Sequence, residues 1–168
     1  PLLVRMLREL GVRTQDSQMG FSVACEACGV EYSGVGLWKQ PRAFRSPGFT
    51  RLLRDIVRFQ RTGTRALQPE RAGMTLEGFA RAEGYSPRFM DHYLEPLASA
   101  IWSSGSADAR GFPAEYAVRF WTNHGILGFR RLTWKTITGG SDTYVRRITD
   151  RLPGRVHAGR GVTEVRRH

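Results

Sequence analysis

The longest apolar helix face in this sequence follows Ser86, and it constrains the fold more than any other feature. Ser86 is a favourable N-cap residue, and Pro87 takes the first helical position, where the N–H that proline lacks would have no partner. Apolar residues then recur at helical spacing: Phe89, Tyr93, Leu94, Leu97, Ala98, Ile101 and Trp102. Pro96 lies within this helix and predicts a kink, because proline removes one ladder hydrogen bond. Such a face requires a hydrophobic core to pack against.

Other segments add helices and strands, so the sequence predicts an α+β fold. Helical spacing and end signals predict further helices at 1–10, 47–66, 75–84, 113–123 and 141–152. Period-two alternation predicts a hairpin at 21–32 that turns at 26–29, a strand at 132–138, and short strands at 155–158 and 162–166. The remaining segments are expected to be a polar connector at 14–18, an irregular stretch at 34–46 with a helical turn near Trp38, and a loop at 103–111.

These elements fall into three consecutive parts. Residues 1–32 form a helix and hairpin, residues 33–126 a mostly helical lobe, and residues 127–168 a strand–helix–strand return. The chain begins at Pro1 with an uncapped apolar helix, from which we expect an internal piece of a longer protein. No stretch approaches the roughly 18 apolar residues of a membrane span, and no leader peptide is visible, so we expect a cytoplasmic protein.

The net charge of +11 raises the question of nucleic-acid binding. Lys39 and Lys135 are the only lysines, and the arginines are spread along the chain without one dominant block, so we do not expect a nucleic-acid partner. The positive charge is also compatible with binding of a small anionic ligand. In the helix at 47–66, arginines lie opposite the apolar face: Arg51, Arg54, Arg58, Arg61 and Arg65. They form either a solvated face or a peripheral membrane contact.

The two cysteines, Cys25 and Cys28, form a single Cys-Glu-Ala-Cys-Gly motif. A structural zinc site needs four ligands, and no second Cys-x-x-Cys pair exists. The four histidines are scattered, without the short spacing of a ligand pair: His92, His124, His157 and His168. We therefore predict a tight turn between two strands that carries two reduced thiols and no metal.

Four blocks together resemble one family. They are Met-Gly-Phe-Ser-Val-Ala-Cys from Met19, Asp-His-Tyr-Leu-Glu-Pro-Leu-Ala-Ser-Ala-Ile-Trp-Ser-Ser from Asp91, Phe-Trp-Thr-Asn-His-Gly-Ile-Leu from Phe120, and Trp-Lys-Thr-Ile-Thr-Gly-Gly-Ser from Trp134. In order and spacing they resemble the flavin-containing amine oxidoreductases, which include monoamine oxidases, protoporphyrinogen oxidases and phytoene-type desaturases. The similarity is greatest to a bacterial branch described as predicted NAD/FAD-binding proteins.

The resemblance implies an FAD-dependent oxidoreductase built on an α/β FAD/NAD(P)-binding fold, with residues 33–126 as its substrate-binding lobe. It also implies that Gly139, Gly140 and Val162 lie near the cofactor. The glycine-rich fingerprint that holds the pyrophosphate is absent, since Gly34-Val35-Gly36 lacks the third glycine and the flanking strand and helix. We therefore expect FAD in the full-length protein but not on this chain alone.

Flavin chemistry needs aromatic walls that hold the substrate and exclude water. Trp102 and Trp134 are the candidate walls for the substrate, whereas core packing is favoured for Trp121. His124 is a candidate catalytic residue, because imidazole can transfer protons near neutral pH. The neighbouring Asn123 is a candidate substrate-binding residue. Lys135 resembles the lysine that contacts the flavin through water in some relatives, although its position before the glycine pair differs from that motif.

Two other functions are compatible with the sequence. One is a non-catalytic helical domain that binds a lipid or a partner protein, and the other is a basic zinc-knuckle domain that binds nucleic acid. For the flavin enzyme, the substrate is an amine or an apolar, lipid-like molecule, and the Phe- and Leu-rich helices favour the apolar choice.

Overall fold

The structure, a computed structural model, describes residues 2–18, 20–33, 47–128, 133–152, 154 and 156–166. The expected irregular stretch at 34–46, with its turn near Trp38, lies outside the described residues. The chain divides into two units. Unit 1 comprises residues 1–18 and 133–168, and unit 2 comprises residues 19–132. The hairpin therefore belongs to the same unit as the helical lobe.

In the part of unit 1 that the structure describes, there are two helices and one small antiparallel sheet. Its elements are α1 (Leu2–Glu9), β1 (Thr14–Ser17), β4 (Trp134–Ile137) and α8 (Asp142–Asp150). Strand β1 pairs with β4 from Thr14 opposite Ile137 to Ser17 opposite Trp134. The predicted connector at 14–18 is therefore wrong. All four β1 residues are polar and three of them are exposed. The strand therefore lacks the apolar alternation that would have predicted it.

The core of unit 1 is small. Leu7, Leu10 and Val12 are buried, and four partly buried side chains pack against them: Met6, Ile137, Tyr144 and Ile148. The predicted strands at 155–158 and 162–166 are wrong, because the described part of 155–166 is irregular. A strand needs a neighbour for its backbone N–H and C=O groups, and alternation in the sequence does not supply one.

The described residues of unit 2 form the predicted hairpin and six α-helices. The hairpin comprises β2 (Ser22–Cys25) and β3 (Val30–Ser33), with Cys25 opposite Val30 as predicted. The helices are α2 (Pro47–Thr62), α3 (Leu76–Ala82), α4 (Pro87–Phe89), α5 (Glu95–Trp102), α6 (Ser106–Gly111) and α7 (Ala114–Asn123). Two 3₁₀ helices, Gly63–Leu67 and Pro69–Arg71, join α2 to α3. The α+β fold class is confirmed.

An aromatic core holds unit 2 together around Phe59. The Phe59 ring packs against four other rings at centroid distances of 5.5 to 6.1 Å: Tyr85, Phe89, Tyr93 and Trp121. Tyr85, Phe89 and Tyr93 stack in a row. Phe89 and Tyr93 are four residues apart in the helical segment, and Tyr85 lies just before its N-cap. Burying each such ring contributes about 1.5–3 kcal/mol. Trp121 is fully buried here and is a packing residue, as favoured by the sequence.

Helix α4 passes through a π-helical segment (Met90–Leu94) into α5, and Pro96, at which a kink was predicted, lies two residues after that segment. Pro96 has no N–H, so it cannot donate to the carbonyl of His92, four residues earlier. The Tyr32 hydroxyl donates to that carbonyl instead, at 2.5 Å. π-Helical turns are often found at functional positions.

Local signals also decide the helix ends. Ser86 Oγ accepts from the Phe89 amide at 3.3 Å, as its N-cap position predicts, and the buried Asp55 accepts from the Ser86 amide at 3.0 Å. The predicted loop at 103–111 is wrong in part, because α6 forms within it and buries Ala109. None of the described helices combines the length and apolar character needed to cross a bilayer.

Candidate functional site

A half-buried aromatic surface lies where the end of α5 packs against α7. We define the aromatic surface as Trp102, Phe112, Tyr116, Phe120 and His124. The Trp102 ring stacks on Phe112 with centroids 4.3 Å apart, and its centroid lies 5.4 Å from that of Phe120. Tyr116, Phe120 and His124 recur every four residues, which places them on one side of the chain that forms α7. The aromatic surface is an apolar wall with a titratable group at one edge.

His124 is held in one orientation by two contacts with Phe120. Its ring stacks on the Phe120 ring at 3.9 Å, and its Nδ1 lies 2.8 Å from the Phe120 carbonyl oxygen. A carbonyl can only accept, so Nδ1 carries the proton in this contact. In the neutral imidazole, Nε2 then holds the free lone pair. The fold therefore presents Nε2 of His124 as the atom that can accept a proton.

The other candidate of unit 2, Asn123, is exposed at the last residue of α7. Gly125 follows with a φ of +63°, as the predicted glycine end requires. Trp102 and His124 both contact Phe120, so the structure brings these two predicted site residues into one cluster.

The remaining predicted residues lie in unit 1. Trp134 is half-buried in β4, and Lys135 forms a 2.6 Å ion pair with Asp16 across the sheet. Both partners of this pair are more than half exposed, and such pairs contribute about 0–1 kcal/mol. Gly139 and Gly140 form the predicted turn, with φ angles of +84° and +86°. Val162 is 80% exposed in an irregular segment.

A second feature is an open groove of about 590 Å³ along one face of α2. We name it the α2 groove, and its lining residues are Thr50, Leu53, Arg54, Val57, Arg58, Arg61 and Thr62. Arg58 is half-buried, with its guanidinium 3.9 Å from the centroid of the Tyr85 ring. Its Nε and one terminal nitrogen are buried and have no acceptor within the described ranges. The α2 groove therefore combines apolar walls with positive charge.

A third cluster involves the two cysteines. The turn between β2 and β3 brings Cys28 back beside Cys25, and a hydrogen bond with the Cys28 side chain lowers the pKa of the Cys25 thiol. The π-helical segment adds His92, whose Nε2 lies 3.4 Å from Cys28 Sγ. The sequence predicted the turn but missed His92. Only tertiary packing joins residues 64 positions apart, and no local spacing signals it.

No model of a known protein family matches the chain, and no curated protein matches it.

Proposed function

We propose that this chain is the substrate-binding part of an FAD-dependent oxidoreductase of the amine oxidase type. The substrate is an apolar or amine-bearing small molecule. The proposal rests on the four sequence blocks that resemble the flavin-containing amine oxidoreductases and on where three of them lie in unit 2.

The supporting observation is that these three blocks, distant in sequence, meet in space. The block from Asp91 supplies Trp102, and the block from Phe120 supplies Phe120 and His124, so two blocks build the aromatic surface together. The block from Met19 supplies Phe21, whose ring packs edge-on against Tyr93 of the second block at 6.3 Å. Two of the three blocks therefore contribute side chains to one surface, and the third packs against the second.

The topology supports the same proposal. The chain leaves unit 1 after β1 and returns to it at β4, so unit 2 is an insertion between two paired strands. Unit 1 exposes several large apolar side chains: Leu2, Leu3, Val4, Val162 and Val165. Exposed apolar side chains of this kind are expected where another domain covers them. A dinucleotide-binding domain would fill that role.

The residues of this chain do not fit FAD on their own. A dinucleotide site needs a glycine-rich turn at a helix N-terminus that receives the pyrophosphate. Gly139 and Gly140 precede α8, but they lack the fingerprint spacing, and a Cβ at Gly139 would lie 3.2 Å from the Thr143 hydroxyl.

The roles of the residues in unit 2 follow from their geometry. Trp102 and Phe120 present ring faces and edges that bind apolar or cationic substrate groups and exclude water. His124 can accept a proton from a bound amine or hydroxyl at Nε2, because Nδ1 is occupied by the Phe120 carbonyl. In this proposal the cofactor supplies the redox chemistry, and the residues of this chain position the substrate.

The test is to purify the full-length gene product that contains this chain and to measure bound flavin by absorbance and by release of FAD. We expect FAD to copurify and amine or apolar substrates to bleach its absorbance. Trp102→Ala should raise KM, whereas His157→Asn, an exposed change in unit 1, should not. A full-length protein that retains no flavin after incubation with excess FAD would contradict the proposal.

The α2 groove favours a second candidate function, a peripheral lipid contact. Arg54 and Arg58 supply positive charge beside Leu53 and Val57, which suits an anionic headgroup with an acyl chain. This function requires no cofactor, so binding to anionic vesicles by a flavin-free full-length protein would favour it over the first.

A further inference from the structure

Three side chains with donor atoms suited to a metal converge between the hairpin and the π-helical segment. The two Sγ atoms of Cys25 and Cys28 and a ring nitrogen of His92 all lie within 4.8 Å of one another. Two of the three are half-buried and Cys28 is exposed. These residues play no part in the proposed aromatic surface, so what they do is a separate question.

Their spacing is close to that of a bound zinc ion. Zinc–sulfur bonds of about 2.3 Å and zinc–nitrogen bonds of about 2.0–2.1 Å in a tetrahedron place neighbouring ligand atoms roughly 3.5–3.8 Å apart. The distance from Cys28 Sγ to His92 Nε2 is 3.4 Å. The upper limit of 4.8 Å within the group exceeds the tetrahedral spacing by about 1 Å. Side-chain rotation alone can supply a movement of that size.

The fold holds the two ligand-bearing segments together by contacts that do not involve the ligand atoms. Tyr32, on β3, donates its hydroxyl to the backbone carbonyl of His92 at 2.5 Å. The turn that carries Cys28 closes with a 2.9 Å bond from the Gly29 amide to the Cys25 carbonyl, and Gly29 takes a φ of +67° that glycine tolerates without cost. The ligands are therefore positioned before any ion binds.

The geometry points to a zinc site formed by Cys25, Cys28 and His92, with a fourth position open to water or an added thiolate. Two thiolates and a neutral imidazole balance the charge of Zn²⁺, so the site is neutral. Among the described residues, no fourth Cys, His, Asp or Glu side chain joins the group. Segment 34–46, which follows the hairpin, contains none of these residue types.

The chemistry of the donors selects the metal. Thiolate and imidazole ligands favour zinc over magnesium or calcium, which prefer oxygen. An ion here would link the hairpin to the helix 64 residues away and would stabilise the folded state, because the unfolded chain does not hold the three ligands together. Zinc binding at this place requires no flavin, so it goes beyond the proposed function and can fail or succeed independently of it.

The experiment measures metal content in the full chain purified with a phosphine reductant and without chelators. We expect about one zinc ion per chain by mass spectrometry of the metal, and less than about a tenth of that in Cys28→Ser and His92→Asn. His157→Asn removes a histidine elsewhere and should keep the wild-type zinc content. Cobalt added to chelator-stripped wild-type protein should give a thiolate charge-transfer absorption band that zinc abolishes.

Three outcomes would overturn the site. Wild-type protein that binds neither zinc nor cobalt while both thiols remain reactive would do so, as would a Cys25–Cys28 disulfide that persists under the reductant. Equal zinc content in wild type and His92→Asn would remove the histidine from the ligand set. Zinc and cobalt titrations of the wild-type protein decide the question even if a variant fails to fold. Bound zinc should also raise the midpoint of thermal unfolding by several degrees.

Discussion

The Tyr32 hydroxyl donates a hydrogen bond to the backbone carbonyl of His92. Pro96 cannot donate to this carbonyl, because proline has no backbone N–H. Tyr32 is 4% exposed, and its burial raises the pKa of the phenol above its ordinary value. This one contact replaces the hydrogen-bond donor that proline lacks, and it also links the hairpin to the helical segment. The position of His92 beside Cys28 depends on it.

Tyr32→Phe should therefore destabilise unit 2. The ring would still pack against Phe49, but the His92 carbonyl would lose a buried donor, which costs about 1–3 kcal/mol. Urea unfolding followed by tryptophan fluorescence measures the loss. Tyr116→Phe is the matched control, because it removes an exposed hydroxyl and should change stability by less than about 0.5 kcal/mol. Equal stabilities of the two variants would contradict the assigned role of the contact.

The ion pairs of Glu83 predict how stability depends on pH. Glu83 accepts from Arg71 at 2.7 Å and from Arg65 at 3.2 Å, and its side chain is 9% exposed. The hydrogen bond from Arg71 lowers the pKa of this carboxyl below its ordinary value of 4.5. A lowered pKa contributes stability that is present above the ordinary value and is lost as pH falls through the folded-state pKa.

We therefore expect the stability of wild-type protein to fall from about pH 4.5 downward, and Glu83→Gln to flatten that part of the profile. At neutral pH the variant should lose about 1.5–3 kcal/mol, the usual contribution of a charged hydrogen bond. Exposed Glu70→Gln should leave both properties unchanged. Parallel acid profiles of wild type and Glu83→Gln would show that the pair does not stabilise the fold.

Local signals predicted the parts of the fold that local chemistry decides. Ser86 begins one helix and Gly125 follows the end of another as predicted, and the hairpin turns between Cys25 and Val30. Strand β1 was missed because its polar side chains face outward, and its pairing with β4 joins residues far apart in the sequence. The strand predicted at 162–166 has the right alternation but no pairing within the described residues.

The candidate sites divide in the same way. The aromatic surface could be anticipated in part, because Trp102 and His124 are chemically informative residues at helix ends. Their meeting through Phe120 could not, since it depends on how α5 packs on α7. Nothing in the sequence around His92 indicated that it would lie beside the two cysteines. Its role follows from the bond to Tyr32 and from the π-helical segment that contains it.

The orientation of His124 predicts a separation of structural and catalytic effects. His124→Asn keeps a side-chain donor near the position of Nδ1, so it can still bond to the Phe120 carbonyl, but it removes Nε2. If Nε2 accepts the substrate proton, turnover of the full-length flavoprotein should fall roughly 10²-fold or more while KM changes little. His124→Gln, which cannot make the short Nδ1 contact, should lose stability as well. Unchanged turnover in His124→Asn would exclude His124 as the base.

The α2 groove predicts how charge and apolar contact combine if the chain binds lipid. Arg54 lies in the groove, whereas Arg51, on the same helix and equally charged, does not line it. Arg54→Glu should therefore weaken cosedimentation with vesicles that contain anionic phospholipid, and Arg51→Glu should weaken it less, although both change the net charge equally. Val57→Asp tests the apolar part, since Val57 is 36% exposed and its substitution costs little core packing.

Simple attraction of a basic protein to an anionic surface would weaken vesicle binding equally in the two arginine variants, and Val57→Asp would bind no worse than either. Added salt would then abolish all binding. A built groove instead requires Arg54→Glu and Val57→Asp both to fall below Arg51→Glu, with part of the wild-type binding retained at high salt because the apolar contact is not screened.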